Sequence, residues 1–353
     1  MPGLQNQKIT NMNHKFEIFP RVPLIQQATP FLPLDRLTEL FNVSLWIKRD
    51  DMNGVGAGGN KVRKLEYLLA DAKQNNASAI ITGGGVQSNH ASTTAICAKR
   101  LGLKSYLALV AAVPIENEHY QSNGNVFLNQ LCNAEIKRFP KGSNVNKCIE
   151  QYAQEIEKLT GSKPYEICMG GSNVIGSLGY IKAALEIASQ MKAHGIKFAS
   201  LVHASGSAGT QAGLIVGFYL AGADVDVLGC SVVYDKPKIS QMVLELCQQL
   251  SQLLGITNVN WAEKINVNDS YIGDGYGLPG KATWESIDIG IETESIIFDP
   301  CYTGKAFNYL LDLLREQSSL LRKNTIFLHT GGMVGLMGYQ NFTQKIQSDQ
   351  SLY

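Results

Sequence analysis

KVRKLEYLLADAKQNNASAIITGGGVQSNHASTTAICAKRLG, residues 61–102, contains three patterns in succession. Its first part places Val62, Leu65 and Leu69 near helical spacing, which predicts an amphipathic helix. SAIITGGG is an apolar run that ends in glycines, typical of a buried strand, and a second helix follows until Gly102 ends it. A helix, a buried strand and a helix in this order indicate an α/β fold with a mostly parallel sheet.

The same alternation continues along the chain. Further strands are predicted at SLWIKR, SYLALVA, AEIKRF, SLVHASG, VDVLGCSVV and TIFLHTGG. Further helices are predicted at NVFLNQLC, CIEQYAQEIEKLT, TQAGLIVGFYLA and KISQMVLELCQQLSQLLG. A chain of 353 residues with this pattern is expected to form two lobes, each with its own mostly parallel sheet.

The composition argues against several classes of protein. The chain has 31 basic and 30 acidic residues, so no excess of positive charge favours nucleic acid or an anionic membrane as a partner. We expect no signal peptide and no membrane span, since the apolar runs are too short. The seven cysteines form no C-x-x-C pair, which predicts reduced thiols, no metal site and a cytoplasmic location.

Three predicted strands end in turns rich in glycine, serine and threonine: TGGGVQSNH, HASGSAGTQ and HTGGMVG. In open parallel sheets, ligands bind in the crevice at the carboxyl ends of the strands. Any one of these turns is more simply an ordinary connection between a strand and a helix. Three of them together favour one shared binding site.

Gly54, Gly56 and Gly59 fit G-x-G-x-x-G, the glycine pattern of dinucleotide-binding folds. That pattern needs an acidic residue at the end of the next strand, and here that strand ends in glycines. GYGLPGKAT, residues 275–283, has Ala282 where a phosphate loop has the hydroxyl that binds magnesium. SGSAG lacks the first glycine of the hydrolase motif G-x-S-x-G. A dinucleotide oxidoreductase and a serine hydrolase are therefore remote alternatives.

Two other features suit a compact phosphate and a reactive amine. SGSAGTQAGLIVG places backbone N–H groups and the hydroxyls of Ser207 and Thr210 at the start of a helix, which is an anion-binding arrangement. Lys61 follows a glycine turn at the start of another helix. A phosphate site and a lysine amine together predict pyridoxal phosphate, whose aldehyde binds a lysine.

Seven motifs then carry a family resemblance, in this order: GGNKVRKLEYLLADA, GVQSNHAS, GGSNVIGSLGYIKAALEI, ASGSAGTQAGL, DGYGLP, DPCYTGKA and FLHTGG. The chain resembles D-cysteine desulfhydrases and 1-aminocyclopropane-1-carboxylate (ACC) deaminases, pyridoxal-phosphate enzymes of fold type II, the tryptophan synthase β-like class. The resemblance runs from TPFLPLDRL almost to the C-terminus.

This resemblance implies a fold and an assembly. The expected fold has two open, twisted, mostly parallel sheets with helices on both faces, and the cofactor lies in the cleft between the two domains. Residues 1–58 and 175–353 would form the large cofactor-binding domain, and residues 59–174 the small domain. A homodimer is also expected.

The resemblance further implies how the cofactor is bound. Lys61 is expected to bind pyridoxal phosphate covalently, Lys64 to help neutralise its phosphate, and Asn89 to hydrogen-bond the 3′-oxygen of its ring. Thr330 is expected to face the pyridine nitrogen, which a hydroxyl leaves largely unprotonated. The residues expected around the phosphate, named here the phosphate cup, are Ser207, Ala208, Gly209 and Thr210. The alternative interpretation of Lys64 is a surface charge.

The substrate site is expected from the same motifs. Ser88 and neighbouring backbone N–H groups would bind the substrate carboxylate, although QSNH could also be a simple helix cap. Tyr276 and Tyr302 match aromatic residues on the substrate side, or are ordinary half-buried tyrosines. The expected catalytic residues are Lys61, Ser88, Tyr276 and Tyr302, and the expected substrate contacts are Ser88, Asn89, His90 and Thr303.

One position departs from the family pattern. The family usually reads QSNH-x-R, and here Ser92 stands in the place of the arginine. The change either alters the affinity for the substrate carboxylate or removes a structural ion pair.

The expected reaction is α,β-elimination from a small amino acid, with D-cysteine as the leading substrate, giving pyruvate, ammonia and hydrogen sulfide. Thr303 stands where ACC deaminases have the glutamate of YEGK, and an uncharged site suits a substrate whose thiol leaves readily. An ACC deaminase and a D-serine-type deaminase stay open as alternatives. So does a relative that binds a ligand without turnover, for which Ser92 is the hint.

Overall fold

A computed structural model of the protein describes Phe16 and residues 18–339. The strands are β1 (Phe31–Pro33), β2 (Ser44–Arg49), β3 (Ala79–Gly85), β4 (Lys104–Val110), β5 (Glu135–Phe139), β6 (Tyr165–Glu166), β7 (Phe198–Ser205), β8 (Asp224–Ser231), β9 (Asn266–Asn268) and β10 (Asn324–His329). The helices are α1 (Asp35–Phe41), α2 (Asn60–Gln74), α3 (Asn89–Arg100), α4 (Glu118–Ser122), α5 (Asn125–Leu131), α6 (Val145–Thr160), α7 (Val174–Ala193), α8 (Gly209–Ala221), α9 (Lys236–Leu254), α10 (Lys281–Glu294), α11 (Thr303–Arg315) and α12 (Met333–Leu336). Each strand and helix predicted from the sequence is present, so the α/β prediction is confirmed.

The first of two compact units contains the described residues up to Asn76 together with Gly171–Gly331. Its sheet has six strands in the order β1-β2-β10-β7-β8-β9. The neighbours are parallel, except that β1 pairs antiparallel with β2. Strand β7 lies in the middle and is buried at every residue after Phe198, as expected for a parallel strand covered on both faces.

Helices cover both faces of this sheet. On one face the apolar core includes Ile181 of α7, Leu214 of α8 and Val243 of α9. On the other face it includes Ile287 of α10 and Phe307 of α11. Because the connections between parallel strands are helical, helix α8 begins at the carboxyl end of β7, and its first N–H groups lie at the edge where ligands bind.

The second unit contains Ala77–Gly170 and the described residues from Gly332 onward. Its four strands are all parallel, in the order β5-β4-β3-β6. One face of the sheet packs against α6 through Ile149, and the other packs against α3 through Ala91. Helix α3 begins at the carboxyl end of β3. This placement follows the same rule as in the first unit.

The two units divide the chain differently from the domains expected from the sequence. Helix α2 belongs to the first unit, whereas the expected boundaries place residues 59–174 together in the small domain. The expected domain boundaries stay a prediction.

The described residues also bear on cysteine chemistry and membrane spans. The seven cysteines are free thiols, with only Cys132 and Cys168 partly exposed. Within residues 18–339, every helix is too short or too polar to cross a bilayer.

A buried network of charges connects α2 to the end of β2 and to α7. Arg63 donates to both oxygens of Asp50, at 2.8 and 2.7 Å, and to both oxygens of Glu186, at 3.1 and 2.9 Å. The hydroxyl of Tyr180 donates to Asp50 at 2.6 Å, and Lys48 donates to Glu186. Burial alone would raise the pKa of Asp50, but the charge and hydrogen bonds of Arg63 outweigh it and hold that pKa below its usual value.

Replacing Arg63 with methionine should therefore be strongly destabilising. The variant keeps the apolar stem but leaves Asp50 and Glu186 without their shared cation, which should lower the free energy of unfolding by about 3–5 kcal/mol. Chemical denaturation of the wild-type and variant proteins measures the difference. The matched control is Arg315→Met, because Arg315 pairs with Asp312 at the surface and should contribute less than about 1 kcal/mol. Equal losses in the two variants would contradict the role given to the network.

Candidate functional site

Lys61 lies in the first turn of α2, and two glycines fix how the chain enters this helix. Gly58 has φ 71°, and a Cβ on it would lie 1.8 Å from the carbonyl oxygen of Asp51. Gly59 has φ 101°, and its Cβ would lie 2.9 Å from the carbonyl oxygen of Thr330. Only glycine combines these left-handed conformations with such close backbone contacts. The position of Lys61, which is half-buried, is therefore set by the backbone before it.

The turn after β10 meets this glycine pair. The N–H of Asn60 donates to the carbonyl oxygen of Thr330 at 2.9 Å. Gly331 has φ 88°, and a Cβ on it would lie 2.6 Å from Cα of Gly59. The side chain of Thr330 is buried. The backbone hydrogen bond from Asn60 to Thr330 therefore helps to position both Thr330 and Lys61, the residue after Asn60.

His329 orients the Thr330 turn, and sequence reasoning missed it. The ring nitrogen Nε2 lies 3.0 Å from the carbonyl oxygen of Ile297, which can only accept, so Nε2 carries the proton. The other nitrogen, Nδ1, then accepts from the N–H of Gly331 at 3.1 Å. Burial lowers the pKa of His329, which favours this neutral ring.

The phosphate cup lies at the start of α8. Ala208 has φ 66°, a left-handed conformation that turns the chain sharply into the helix. The hydroxyl of Ser207 lies 2.7 Å from that of Ser172, and Asn60 donates to the hydroxyl of Thr210 at 3.1 Å. A Cβ on Gly209 would lie 2.8 Å from the Ser172 hydroxyl oxygen. Hydroxyl groups and helix N–H groups therefore converge where a side chain at Gly209 would intrude.

Lys64 supplies a positive charge to the same place. Its ammonium donates to the hydroxyl of Ser172 at 2.7 Å, and its side chain is only 1% exposed. The alternative of Lys64 as a surface charge is therefore wrong. A buried cation, three hydroxyls and helix N–H groups fit a phosphate ester such as that of pyridoxal phosphate. Ser172 was not predicted, although it lies within the motif GGSNVIG.

Tyr276 and Tyr302 form a pair beside the phosphate cup. Their hydroxyl oxygens are 2.6 Å apart, and their rings meet edge to face with centroids 5.8 Å apart. A Cβ on Gly206, the residue before Ser207, would lie 3.5 Å from a ring carbon of Tyr302. The geometry brings together two phenols that can share or pass a proton.

Thr303 is held in a turn closed by Asp299. Its hydroxyl donates to the Asp299 carboxylate at 2.7 Å and accepts from the Asp299 N–H at 2.8 Å. The same carboxylate accepts from the N–H groups of Cys301, Tyr302 and Thr303. Burial raises the pKa of Asp299, and these hydrogen bonds oppose the rise. Thr303 thus has a structural role of its own, and its contact with substrate stays a prediction.

Ser88, Asn89 and His90 lie at the start of α3 in the second unit. The hydroxyl of Ser88 caps the helix, accepting from the N–H of Ala91 at 3.2 Å. The ring nitrogen Nε2 of His90 lies 2.8 Å from the hydroxyl of Thr82, which donates to the carbonyl oxygen of Ile167. The capping interpretation of QSNH is therefore correct as geometry, and a helix start of this kind also suits a carboxylate.

Ser92, where the family pattern has arginine, orients Asn89 through Asn125. The hydroxyl of Ser92 donates to the side-chain oxygen of Asn125 at 2.6 Å. The amide nitrogen of Asn125 donates to the backbone oxygen of Gln87 at 3.1 Å and to the side-chain oxygen of Asn89 at 2.7 Å. Since the carbonyl of Gln87 can only accept, the Asn125 amide has one orientation, and Asn89 turns its own N–H donors away from Asn125.

The predicted residues therefore fall into two sets. Those in the first unit are Lys61, Lys64, Ser207, Ala208, Gly209, Thr210, Tyr276, Tyr302, Thr303 and Thr330. Those in the second unit are Ser88, Asn89 and His90. Within the first unit, the hydrogen bond from Asn60 to Thr210 joins the glycine turn to the phosphate cup, and the ring of Tyr302 lies near Gly206, directly before the cup.

Comparison with known proteins agrees with a site for pyridoxal phosphate. Residues 22–331 match the family model described as pyridoxal-phosphate dependent enzyme. A D-cysteine desulfhydrase of Yersinia pseudotuberculosis serotype O:1b (strain IP 31758) is 38% identical over 328 residues, which cover 93% of this chain and 98% of that protein. The crystal structure of an ACC deaminase homologue is similar with a TM-score of 0.84 and 36% identity, covering 96% of this chain and 98% of the other.

A more distant structure shares the fold. The T.th. threonine deaminase has a TM-score of 0.64 and 18% identity, with 92% of this chain and 97% of the other covered. Together with the ACC deaminase homologue, it confirms the predicted fold type II.

Replacing Gly209 with aspartate should weaken the binding of pyridoxal phosphate by about 100-fold or more. The new side chain would displace Ser172, and like charges about 4 Å apart at a partly buried site repel by about 4 kcal/mol. Titration of the cofactor-free variant, followed by visible absorbance, measures the affinity. The control is Gly280→Asp, which adds the same charge where a Cβ meets open space. Unchanged affinity in the Gly209 variant would contradict the assignment of the cup.

Proposed function

Because the chain belongs to the family of pyridoxal-phosphate-dependent enzymes, we propose that it eliminates hydrogen sulfide from D-cysteine, releasing pyruvate and ammonia. The observation that carries the proposal is the arrangement in the first unit, where Lys61 follows a fixed glycine turn and Lys64 on the same helix reaches the serines beside the phosphate cup. The Yersinia relative is named a D-cysteine desulfhydrase, and this name supports D-cysteine as the substrate.

The cofactor is proposed to bind mainly through residues of the first unit. Lys61 would hold its aldehyde carbon, and the phosphate cup with Ser172 and Lys64 would hold its phosphate. Thr330 would face its pyridine nitrogen, and Asn89 would donate to the oxygen on its ring. When bound, pyridoxal phosphate withdraws electrons from Cα of an amino acid and so makes the Cα proton acidic.

The protein groups then divide the work of elimination. The amine of Lys61, freed when the amino group of the substrate takes its place, would accept the proton from Cα as general base. Ser88 and the N–H groups at the start of α3 bind the substrate carboxylate, with His90 and Thr303 on the substrate side. The hydroxyl pair of Tyr276 and Tyr302 donates a proton to the departing sulfur, so that the Cβ–S bond breaks with release of hydrogen sulfide rather than of the hydrosulfide anion.

ACC deamination is the second candidate, and the similar ACC deaminase homologue structure favours it. The two reactions differ in leaving group: a thiol leaves readily, whereas opening a cyclopropane ring requires more negative charge to be withdrawn. Thr330 and Thr303 are uncharged, which favours the thiol substrate. A D-serine-type deaminase is intermediate between these two candidates in how readily its leaving group departs. The homodimer and the cytoplasmic location are also part of the proposal. The homodimer rests on the family resemblance, and the location rests on seven cysteines that form no C-x-x-C pair.

The alternative of a binding protein without turnover rested on Ser92. Its hydroxyl is engaged with Asn125 and so belongs to a complete hydrogen-bonded arrangement around Asn89. This argues that the missing arginine is compensated, and it supports an active enzyme.

Lys61→Ala should abolish the visible absorption of the purified protein. Only a lysine bound to the cofactor aldehyde allows borohydride to attach the cofactor permanently, and peptide mapping of the reduced wild-type protein should place it on Lys61. The control, Lys73→Ala, removes an exposed lysine from the same helix and should keep the absorption. A cofactor label found on any other lysine would overturn the assignment.

D-cysteine should be the best substrate among D-cysteine, L-cysteine, D-serine and ACC. We expect kcat/KM for D-cysteine to exceed that for ACC by about tenfold or more, since each tenfold step requires only about 1.4 kcal/mol of preferential transition-state stabilisation. Release of pyruvate from each substrate, or of 2-oxobutyrate from ACC, measures the rates. A higher kcat/KM for ACC would show that the proposed substrate is wrong. A yellow protein that turns over none of these substrates would contradict the proposal that the protein is an enzyme.

A further inference from the structure

Lys305 is a buried lysine that the proposed mechanism does not use. Its side chain is only 1% exposed, and it lies in the first turn of α11, two residues after Thr303. Its ammonium donates to the carbonyl oxygens of Ile272 at 2.6 Å and Gly275 at 2.9 Å. Both acceptors belong to the connection between β9 and α10, residues 269–280, named here the Tyr276 loop.

The Tyr276 loop is held internally by long backbone hydrogen bonds, in which the N–H groups of Ile272, Gly275 and Leu278 each donate to the carbonyl oxygen three residues earlier, at 3.3, 3.4 and 3.2 Å. It contains no helix or strand, and Gly273, Gly275 and Gly277 have φ of 62°, 136° and 70°. Glycines in such conformations lose much backbone entropy when a loop becomes ordered, so the loop needs tertiary bonds. The two bonds from Lys305 bracket residues 272–275, directly before Tyr276. A further bond, from the hydroxyl of Tyr271 to Asp312 at 2.9 Å, holds the start of the loop.

Burying an ammonium group costs more free energy than burying an apolar side chain of similar size. Burial lowers the pKa of Lys305, which reflects the cost of removing its charge from water. A methionine would fill a similar volume without that cost. The ammonium therefore requires another justification, and its hydrogen bonds to the loop provide one.

Tyr302, the partner of Tyr276, is held from the other side. Its backbone N–H donates to Asp299 at 3.0 Å, and this buried carboxylate closes the turn at the start of α11. One short segment, residues 299–305, thus contains a carboxylate that holds Tyr302 and an ammonium that holds the loop of Tyr276. The two hydroxyls meet at 2.6 Å between these two attachments.

We propose that Lys305 is a positioning residue that sets the hydroxyl of Tyr276 against that of Tyr302. It does not touch the substrate or the cofactor; it acts by fixing the backbone of the Tyr276 loop. This inference rests on the proposed function, because the tyrosine pair has its role in elimination only there.

The test is Lys305→Met in the holoenzyme, with hydrogen exchange and kinetics as separate measurements. Amide exchange in residues 271–278 should become about tenfold faster, because the loop opens more often, while exchange in α8 stays unchanged. On D-cysteine, kcat should fall by about 10- to 100-fold, the effect of misplacing a reacting group by about 1 Å. KM and the affinity for pyridoxal phosphate should change by less than about threefold, since carboxylate and phosphate contacts are intact.

A double-mutant cycle distinguishes positioning from general damage. Tyr276→Phe should lower kcat, and adding Lys305→Met to it should lower kcat no further, since the hydroxyl to be positioned is gone. The matched control is Ser200→Ala: Ser200 is buried, and its hydroxyl donates to the backbone oxygen of Leu320 at 2.9 Å and accepts from the N–H of Arg322 at 3.0 Å, outside both the Tyr276 loop and residues 299–305. It should change neither kcat nor exchange in the loop.

The outcomes separate this inference from the proposed function. Unchanged exchange in residues 271–278 overturns the inference whether or not D-cysteine is the substrate. Faster exchange with unchanged kcat, or multiplicative losses of kcat in the double variant, also overturns it. If D-cysteine is not turned over, the proposed function fails, and the cycle is run on whichever amino acid of the substrate panel is active. If Lys305→Met does not fold, Lys305→Gln, which keeps a donor but shortens the side chain, is measured in its place.

Discussion

The interaction on which the candidate site depends is that of Arg63 with the buried carboxylate of Asp50 and the partly buried carboxylate of Glu186. Asp50 acts twice: its side chain binds Arg63, and its backbone oxygen accepts from the N–H of Gly59 at 2.9 Å. The turn before Lys61 and the helix turn after it are therefore attached to one residue. A buried carboxylate without its cation raises the free energy of the folded state, so the network tolerates little movement. The backbone on both sides of Lys61 is therefore held firmly in place.

The glycines beside Lys61 explain why the sequence imitates a dinucleotide-binding motif. In both cases glycine is required because backbone must approach something closely. In this protein Gly59 meets the backbone of Thr330 and Gly331, so two turns from distant parts of the chain interlock. Within the pattern G-x-G-x-x-G, close backbone packing thus accounts for Gly59, whereas a Cβ on Gly54 would meet open space.

Local periodicity in the sequence predicted the strands and helices. It did not predict the contacts between side chains that are distant along the chain. Strand β7 and helix α8 followed from an apolar run and a Gly/Ser/Thr turn, and the phosphate cup followed with them. The pairing of Lys64 with Ser172 joins residues more than 100 positions apart, and no local pattern distinguishes such a lysine from one at the surface. Asn125 and Lys305 were missed for the same reason: polar residues in helices are normally solvated, and only tertiary structure shows that these are buried.

The distribution of charge around the proposed site bears on the chemistry. Lys64 places a positive charge at Ser172, beside the phosphate cup, whereas the turn proposed to face the pyridine nitrogen contains the hydroxyl of Thr330 and the neutral ring of His329. His329 uses both ring nitrogens on backbone groups, so it has no proton to give to a ligand. A pyridine nitrogen beside such a turn gains little positive charge and withdraws electrons weakly. The substrate must then contribute more through its own leaving group, which is a requirement that a β-thiol meets and a cyclopropane ring does not.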